Sequence, residues 1–315
     1  MKPSVRASSV EGLRSELKDL RRQVQDLHRI IGDVGGTEPL GEAEVEAGGG
    51  GYSATYTVAA SDASASAQAN ADFVCDGTND EVQINAALAA CETLSGGSSG
   101  AAGGRVLLSE GTFYIGATAI TGATSSTLQG QGPTATKLAQ QAASSYTIDC
   151  NTLGFTLSDL WVEGYDASDD GYGVRLRQNY ARVERVRFWG LGTDGTFDGS
   201  LHFDSSFNIV DACEFYQCGY SNGGGYAVYL AASSVTSIVR GCSFVQSGAH
   251  AVYTLAQKVH VVDNYIDAAQ TWAASNTAIE VGNYSIVTGN IAASSGGTAT
   301  ITAGTGAQVA NNVLL

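Results

Sequence analysis

Three loop segments near the middle of the chain combine acidic and aromatic residues. They cover residues 163–173, 189–199 and 216–226, with the sequences EGYDASDDGYG, WGLGTDGTFDG and YQCGYSNGGGY. Sugar hydroxyl groups need hydrogen-bond acceptors, and sugar ring faces stack on aromatic side chains, so this combination is typical of a carbohydrate-binding surface. The residues expected to contact such a ligand are Tyr165, Asp166, Trp189, Phe197, Tyr220 and Tyr226.

The same loops contain carboxylates that are candidates for acid–base catalysis: Asp169, Asp170, Asp194 and Asp198. If the loops occupy one corner of successive strand layers about 4.8 Å apart, carboxylates one layer apart have retaining-glycosidase spacing and those two layers apart have inverting spacing. The alternative is that these aspartates only solvate glycine-rich turns. The histidines are scattered and define no Ser/His/Asp arrangement; they are His28, His202, His250 and His260.

One of these loops has part of the pattern of a calcium site. In DASDDG, residues 166–171, the side chains of Asp166, Ser168 and Asp170 have the spacing of the first ligands of a calcium-binding loop. Arg177 stands where the bidentate glutamate of such a loop belongs, so the ligand set is incomplete. Calcium is a candidate ligand here, and no other cofactor is expected.

The loops are positioned by a repeat that fills the second half of the chain. An aliphatic residue is followed at +3 and +5 by further residues expected to face inward, and the pattern recurs every 22–29 residues with a second short strand between its copies. Repeats of this length with Gly, Asn and Ser at the corners predict an all-β solenoid, a right-handed parallel β-helix. The repeats begin at Leu157, Val183, Val210, Val239, Val261, Val287 and Val309.

The +3 position of the repeat carries asparagine in the last three copies. Asn264, Asn290 and Asn312 are expected to stack their amides into a hydrogen-bonded ladder along the axis, because an asparagine inside a core needs a partner. Cys213 and Cys242 hold the same position in the two preceding copies and are expected to pack as small apolar residues.

A helix is predicted ahead of the repeats, near residues 80–92. In NDEVQINAALAAC the apolar residues Ile84, Ala87, Leu88 and Cys91 fall on one helical face, and Asp80 is placed as the N-cap. The first coil of a solenoid leaves its core and backbone open, so this helix is expected to cap a β-helical domain of residues 56–315. A disulfide between Cys75 and Cys91, which flank the helix, and two free thiols are both open alternatives.

Residues 1–35 carry an uninterrupted heptad pattern that predicts a parallel coiled coil. Its seam residues are expected to mediate oligomerisation, and a glycine- and glutamate-rich linker follows at residues 36–55. About 3.5 heptads are marginal alone, so the larger domain is expected to associate as well. The last coil, ending at NNVLL, is expected to be covered by other chains or another component. The seam residues are Val10, Leu13, Leu17, Leu20, Val24, Leu27, Ile31 and Val34.

Charge and hydropathy exclude several classes of partner. The 315 residues carry a net charge of -15, which disfavours binding to the phosphate backbone of nucleic acids. The N-terminus lacks the apolar core of a signal peptide, and no run of about 18 apolar residues occurs. Neither a signal peptide nor insertion into a membrane is therefore expected.

Three segments resemble the pectate-lyase-like superfamily of right-handed parallel β-helices, in the form found in viral tail spikes and tail fibres. They are DGTNDEVQINAAL, GGRVLLSEGTFYI and LQGQGPTATKL, within residues 72–138. The resemblance implies a homotrimer located in the virion and attached through its N-terminus to other tail or baseplate proteins. Polygalacturonase-like members carry Gly-His-Gly and Arg-x-Lys motifs, which are missing here although Asp169 and Asp170 are adjacent, so that mechanism does not transfer.

The function expected from these features is that of a viral tail-fibre or spike-like protein that binds a host surface glycan or a partner protein. One alternative is a tailspike depolymerase, a glycosidase or lyase that acts on host surface polysaccharide through the loop carboxylates. Another is a purely structural head or collar fibre. The fold hosts enzymes and non-catalytic proteins alike, so fold alone does not choose between them.

Overall fold

A computed structural model describes residues 54–94, 103–141, 146–164, 172–191, 199–218, 225–246, 250–268, 277–294 and 299–315. The chain divides into two units, residues 1–50 and 51–315. The coiled coil predicted for residues 1–35, with all of its seam residues, lies outside the described residues, as does the linker up to residue 53.

The described strands form three parallel sheets, A, B and C. Sheet A contains β1 (Thr55–Ala59), β2 (Phe73–Val74), β3 (Arg105–Leu108), β5 (Thr127–Gln129), β8 (Thr156–Ser158), β11 (Arg182–Glu184), β14 (Ile209–Asp211), β17 (Ile238–Arg240), β20 (His260–Val262), β23 (Ile286–Thr288) and β26 (Gln308–Ala310). Sheet B contains β4 (Gly111–Ile115), β6 (Thr136–Gln140), β9 (Trp161–Glu163), β12 (Arg187–Trp189), β15 (Glu214–Tyr216), β18 (Ser243–Val245), β21 (Tyr265–Ala268), β24 (Ile291–Ser294) and β27 (Val313–Leu314). Sheet C contains β7 (Tyr146–Cys150), β10 (Tyr172–Leu176), β13 (Leu201–Phe203), β16 (Tyr226–Leu230), β19 (His250–Thr254), β22 (Thr277–Val281) and β25 (Thr300–Ala303).

From β5 to β25, each coil contributes one strand to each sheet in turn. The chain passes from β8 to β9 to β10 and then returns to sheet A as β11, which pairs in parallel with β8. The same order repeats on the following coils, so side chains at one position of the repeat lie above one another along the axis. The predicted all-β fold, a parallel β-helix, is confirmed.

The core consists of inward-facing rows of aligned side chains. Phe188, Phe215 and Phe244 stack with ring centroids 4.8 Å apart at each step and nearly parallel planes. In six of the seven predicted copies the aliphatic, +3 and +5 residues are buried. In the seventh copy Val309 and Leu314 are exposed by 49% and 40%, because no described residues stack on the far side of that coil.

The +3 position lies just after the turn from sheet A to sheet B. The residue before it has a positive φ, between 52° and 71°, on seven consecutive coils. Asn264, Asn290 and Asn312 follow three of these turns, and their side-chain amides are joined by hydrogen bonds of 2.9 Å. The positive-φ residues are Asp159, Arg185, Ala212, Gly241, Asp263, Gly289 and Asn311.

Two helices precede the repeats, α1 (Ala65–Asn70) and α2 (Glu81–Leu94). α2 is the predicted capping helix, and it packs on β1 and β3 with Ile84, Ala87, Leu88 and Cys91 buried. Asp80 directly precedes α2, as predicted for its N-cap, and its carbonyl oxygen accepts a hydrogen bond of 3.2 Å from Ile84. Its carboxylate, however, accepts hydrogen bonds from the backbone N–H groups of Gly77 and Tyr114, at 2.9 and 2.8 Å. Asp80 therefore ties the start of α2 to β4.

All six cysteines are buried and unpaired. The disulfide alternative for Cys75 and Cys91 is therefore not realised. The Cys75 thiol approaches the carbonyl oxygen of Asp80 at 3.9 Å, whereas Cys91 packs against Gly104, where a Cβ atom would lie only 2.5 Å from the sulfur. Burial raises the pKa of both thiols.

Candidate functional site

The three loops singled out in the sequence all connect sheet B to sheet C. They follow β9, β12 and β15 on consecutive coils. Trp189, the last residue of β12, and Tyr226, the first residue of β16, are described. The other predicted glycan, catalytic and calcium residues lie outside the described residues: Tyr165, Asp166, Ser168, Asp169, Asp170, Asp194, Phe197, Asp198 and Tyr220.

On the sheet B side of this corner, Trp189 lies between two aromatic neighbours. It stacks on Trp161 of the preceding coil, with centroids 5.3 Å apart, and makes an edge contact at 5.1 Å with Tyr216 of the next coil. Trp189 is 38% exposed. Trp189 therefore has an aromatic neighbour on each side along the axis.

Two ion pairs flank the tryptophans. Lys137 pairs with Glu163 at 2.8 Å and lies 4.7 Å from the centroid of Trp161, and Arg187 pairs with Glu214 at 2.8 Å and lies 5.8 Å from that centroid. The cations therefore stabilise the tryptophan stack through cation–π contacts. The charged side chains beside the tryptophans are therefore paired with one another.

On the sheet C side, five strands present a row of polar and aromatic residues. Parallel pairing places Arg175 beside His202, His202 beside Tyr229, Tyr229 beside Tyr253, and Tyr253 beside Glu280. We call this row, together with the adjoining Asp204, Tyr226 and His250, the sheet C surface. His202 is buried, whereas its other members are half-buried.

Four of its rings form one cluster. Tyr226 stacks on Tyr253 with centroids 4.4 Å apart, and Tyr229 lies parallel to Tyr253 at 5.9 Å. His250 contacts Tyr226 at 5.4 Å and Tyr253 at 5.3 Å. Rings that stack on each other present their edges and hydroxyl groups to solvent. The cluster therefore offers hydrogen-bonding groups that are spaced by the distance between neighbouring coils.

A cluster of charged and polar side chains lies next to the rings, on the coils that precede them in the chain. Asp204 lies 2.9 Å from Nε2 of His202 and accepts a hydrogen bond of 2.6 Å from Arg175. The contact with His202, together with Arg175, lowers the pKa of Asp204 to about 2. His202 in turn makes an edge contact with Tyr229 at 4.7 Å. The carboxylate thereby fixes the positions of both side chains.

A histidine–carboxylate pair lies at the other end of the rings. Nε2 of His250 is 3.4 Å from Glu280. Burial lowers the pKa of His250 despite this carboxylate. Burial also raises the pKa of Tyr226 and of Tyr253, and Glu280 contributes to both shifts. At neutral pH the cluster therefore combines a neutral imidazole with protonated phenols.

Sequence reasoning found Tyr226 but missed the rest of the sheet C surface. The signal was present in the short strands YGVRL, SLHF, YAVYL, HAVYT and TAIEV, whose aligned outward positions read Arg, His, Tyr, Tyr and Glu.

Within the described residues, no group of three or more His, Cys, Asp or Glu side chains could hold a metal ion. The calcium pattern at residues 166–171 falls outside that part of the chain. Neither described helix has the length and apolar composition required to cross a bilayer.

The three stacked parallel sheets have the architecture of the pectate-lyase-like β-helices that the sequence motifs predicted. No protein-family model matches the chain, and no curated protein matches it. Solved structures similar to it include the A-modules of two mannuronan C-5 epimerases of Azotobacter vinelandii, AlgE4 and AlgE6, each at 14% identity. The alignments cover 76% and 75% of this chain and 95% and 96% of those modules, with TM-scores of 0.31 and 0.38. A third is ORF18 of Geobacillus virus E2, at 13% identity and a TM-score of 0.32, over 73% of this chain and 56% of that one.

Proposed function

We propose that this chain is a fibre- or spike-like virion protein whose sheet C surface binds a host surface glycan. The observation that carries the proposal is the unbroken row from Arg175 to Glu280 on five adjacent strands. Five parallel strands span about 19 Å, and a rigid sheet holds its side chains at fixed spacing. Such a row suits an extended chain of sugars that runs along the solenoid. The virion assignment rests on the sequence motifs.

The chemistry of the row favours hydrogen bonding over ring stacking. Tyr229, Tyr253 and Tyr226 hold their faces against one another, and their hydroxyl groups both donate and accept. Arg175 adds donors and Glu280 adds acceptors at the two ends. A polyhydroxylated ligand has the complementary groups along its whole length.

Binding of the purified full-length protein to a panel of immobilised bacterial surface polysaccharides tests the proposal. Tyr253→Ala is expected to weaken binding at least about tenfold, because Tyr253 contacts Tyr226, Tyr229 and His250. Tyr253→Phe keeps the ring and removes only the hydroxyl group, so it is expected to weaken binding without lowering the melting temperature.

Tyr284→Ala is the matched control, since Tyr284 is a 59% exposed tyrosine on a turn outside the sheet C surface. Its binding is expected to equal wild type. Equal binding by wild type and both Tyr253 variants would contradict the proposal. Binding to whole cells that protease treatment abolishes would identify a partner protein instead, and a failure to bind any cell would favour a purely structural head or collar fibre.

A second candidate function is depolymerisation of the same polysaccharide. It is favoured by the two histidine–carboxylate pairs, Asp204 with His202 and Glu280 with His250, which are groups suited to acid–base chemistry. His202 is only 5% exposed, so His250 and Glu280 are the pair within reach of a ligand. Release of reducing ends by wild type, and its loss in Glu280→Gln, would identify an enzyme.

A further inference from the structure

The turns that lead into sheet A place one residue of each coil in a column along the solenoid axis. Each of these residues has a positive φ, between 52° and 72°. From Ser125 to Tyr284, the backbone N–H of each donates a hydrogen bond to a carbonyl oxygen of the next coil, so the turns lie in register. All of these turns lie within the described residues. The column reads Ser125, Gly154, Tyr180, Phe207, Thr236, Lys258, Tyr284 and Gly306.

Two successive positions of this column hold exposed aromatic rings. Tyr180 and Phe207 are exposed by 58% and 45% and stack with centroids 5.3 Å apart and planes 14° apart. A positive φ favours glycine or asparagine and disfavours a bulky side chain, because the Cβ atom crowds the backbone. An exposed ring gains little from burial in return. Backbone strain held at an exposed position indicates a function for the rings rather than a role in packing.

One face of Tyr180 is left without a stacking partner from the column. Phe207 covers the face towards the next coil, whereas the preceding coil places Gly154 at the same position. The three atoms nearest to a Cβ placed on Gly154 all belong to Ser125, at 3.3–3.8 Å, so Tyr180 does not fold onto the glycine. Ser125 is itself exposed and lies two coils from Tyr180, a distance of about 10 Å.

These positions define a slot at the level of Gly154, between Ser125 and Tyr180. Core rings one coil apart, such as Phe188 and Phe215, stack with centroids 4.8 Å apart. A single ring stacked on Tyr180 would therefore lie level with Gly154 and one further step below Ser125. The absence of a side chain at Gly154 leaves room for one ring in the column.

Tyr284 shows how the same arrangement is closed elsewhere in the column. It also adjoins a glycine, Gly306, but a Cβ placed on that glycine would lie 2.8 Å from Cδ1 of Tyr284, so the ring packs on the glycine. On its other side the column carries Lys258. Tyr284 is therefore a tyrosine of the same turn, with the same sign of φ, that borders no slot.

We propose that the slot at Gly154 binds a single neutral pyranose. One face of a pyranose consists largely of C–H groups and packs on an aromatic ring, while its edge carries hydroxyl groups that need polar partners. The Ser125 hydroxyl borders the slot, and the exposed amides of Asn151 and Gln178, joined by a hydrogen bond of 3.0 Å, lie just before Gly154 and Tyr180 in the chain. The site lies on a different face from the sheet C surface and does not rest on the function proposed for that surface.

The charge and the size of the site favour this ligand. The two arginines that flank Tyr180 in the chain are paired, Arg177 with Asp149 and Arg182 with Glu184, so the turn offers no free cation to an acidic sugar. Only Leu153, 44% exposed, extends the apolar surface beside Gly154, and the two coils after Phe207 carry Thr236 and Lys258. Three side chains are far too few for a protein interface of standard size.

Saturation-transfer NMR on the full-length protein tests the proposal. The probes are the methyl glycosides of glucose, galactose, mannose and N-acetylglucosamine, each at millimolar concentration. At least one is expected to bind with about millimolar affinity and to receive saturation mainly on the C–H protons of one ring face. Tyr180→Ala is expected to weaken this binding at least about tenfold at an unchanged melting temperature, because the ring is exposed.

A second variant and two controls make the result specific to the slot. Gly154→Asn fills the slot with a residue that tolerates a positive φ, and it is expected to abolish binding while Tyr180 is retained. Tyr284→Ala, at the same turn position, and Tyr253→Ala, on the sheet C surface, are expected to bind as wild type. Wild type that binds none of the four probes would overturn the proposal, as would wild-type binding by Tyr180→Ala or Gly154→Asn. Loss of binding in Tyr253→Ala alone would place the sugar on the sheet C surface and equally overturn it.

Discussion

The side-chain amide of Asn264 donates a hydrogen bond of 2.9 Å to Oδ1 of Asn290, one coil further along the solenoid. Asn290 repeats the contact to Asn312 at 2.9 Å. The same oxygens also accept from the backbone N–H groups of Asn264 and Asn290, both at 3.0 Å. Asn264 and Asn290 are 2% and 0% exposed, so these contacts replace the water that the amides lose.

Replacing the middle asparagine is expected to lower the free energy of unfolding. Asn290→Leu removes the acceptor of two N–H groups of Asn264 and the donor to Asn312. Buried groups left without partners cost about 1–3 kcal/mol, and urea unfolding monitored by circular dichroism measures the loss. Asn151→Leu is the control, because Asn151 is exposed and accepts one bond from Gln178; its expected change is within about 0.5 kcal/mol. Equal stability of wild type and Asn290→Leu would exclude a stabilising role for the ladder.

The buried positions of the repeat could be predicted from the sequence because burial restricts the type of residue. Val287, Asn290 and Ala292 occupy three inward positions that must be apolar or paired, so the spacing of +3 and +5 survives from coil to coil. Outward positions carry no such restriction. Because the coils differ in length, between 22 and 29 residues, the sequence does not fix which outward residues of successive coils are aligned. The strand register of the structure places His202 beside Tyr229 and Tyr229 beside Tyr253.

The cap shows a second limit of sequence reasoning. The spacing from Ile84 to Cys91 is a local property, so it identified the helix and its buried face. The partner of Asp80 is Tyr114, 34 residues away, and no local rule indicates that contact. The local sequence around Asp80 is the same whether its side chain caps α2 or links α2 to β4.

Asp80 is therefore expected to stabilise the attachment of the cap. Its carboxylate is 0% exposed and accepts from the N–H groups of Gly77 and Tyr114. Asp80→Ala removes the acceptor of both part-buried donors, which costs about 1–3 kcal/mol. Hydrogen exchange at Tyr114 and urea unfolding measure the effect. Asp76→Ala, in the same loop but with bonds only to Thr78, is the control. A larger loss for Asp76→Ala than for Asp80→Ala would refute the cross-link.

Asp204 is expected to make stability depend on pH in the acid range. Its folded pKa of about 2 lies below the ordinary value of 3.8, because His202 and Arg175 favour the ionised form. Such a group contributes stability above about pH 4 and loses it as the pH falls towards 2. Asp204→Asn should therefore be less stable than wild type at about pH 5, by about 1 kcal/mol after allowance for screening by solvent, and most of this difference should have disappeared at about pH 2.

The control for this measurement is Asp267→Asn, because Asp267 pairs with no cation among the described residues. Its free energy of unfolding should follow wild type at both pH values. If the difference between Asp204→Asn and wild type persisted unchanged at about pH 2, the stabilisation would come from the shape of the side chain and not from its charge.

The charge of the sheet C surface predicts which glycans bind. Arg175 is paired with Asp204, whereas Glu280 faces His250, whose lowered pKa leaves it neutral near pH 7. No lysine or arginine pairs with Glu280 among the described residues. Its negative charge is therefore unbalanced, and the chain as a whole carries -15. Neutral polysaccharides are expected to bind more tightly than polyuronates of similar length.

Glu280→Gln removes this charge while keeping the size of the side chain and an acceptor oxygen. It is expected to improve the binding of polyuronates several-fold at low salt and to leave the affinity for a neutral polysaccharide within about twofold. Isothermal calorimetry with one neutral and one acidic polymer measures both affinities. Arg175→Gln is the reciprocal control, since it adds to the negative balance and should weaken polyuronate binding further. A polyuronate that binds wild type more tightly than the neutral polymer, with no gain in Glu280→Gln, would show that the ligand is selected by groups outside the sheet C surface.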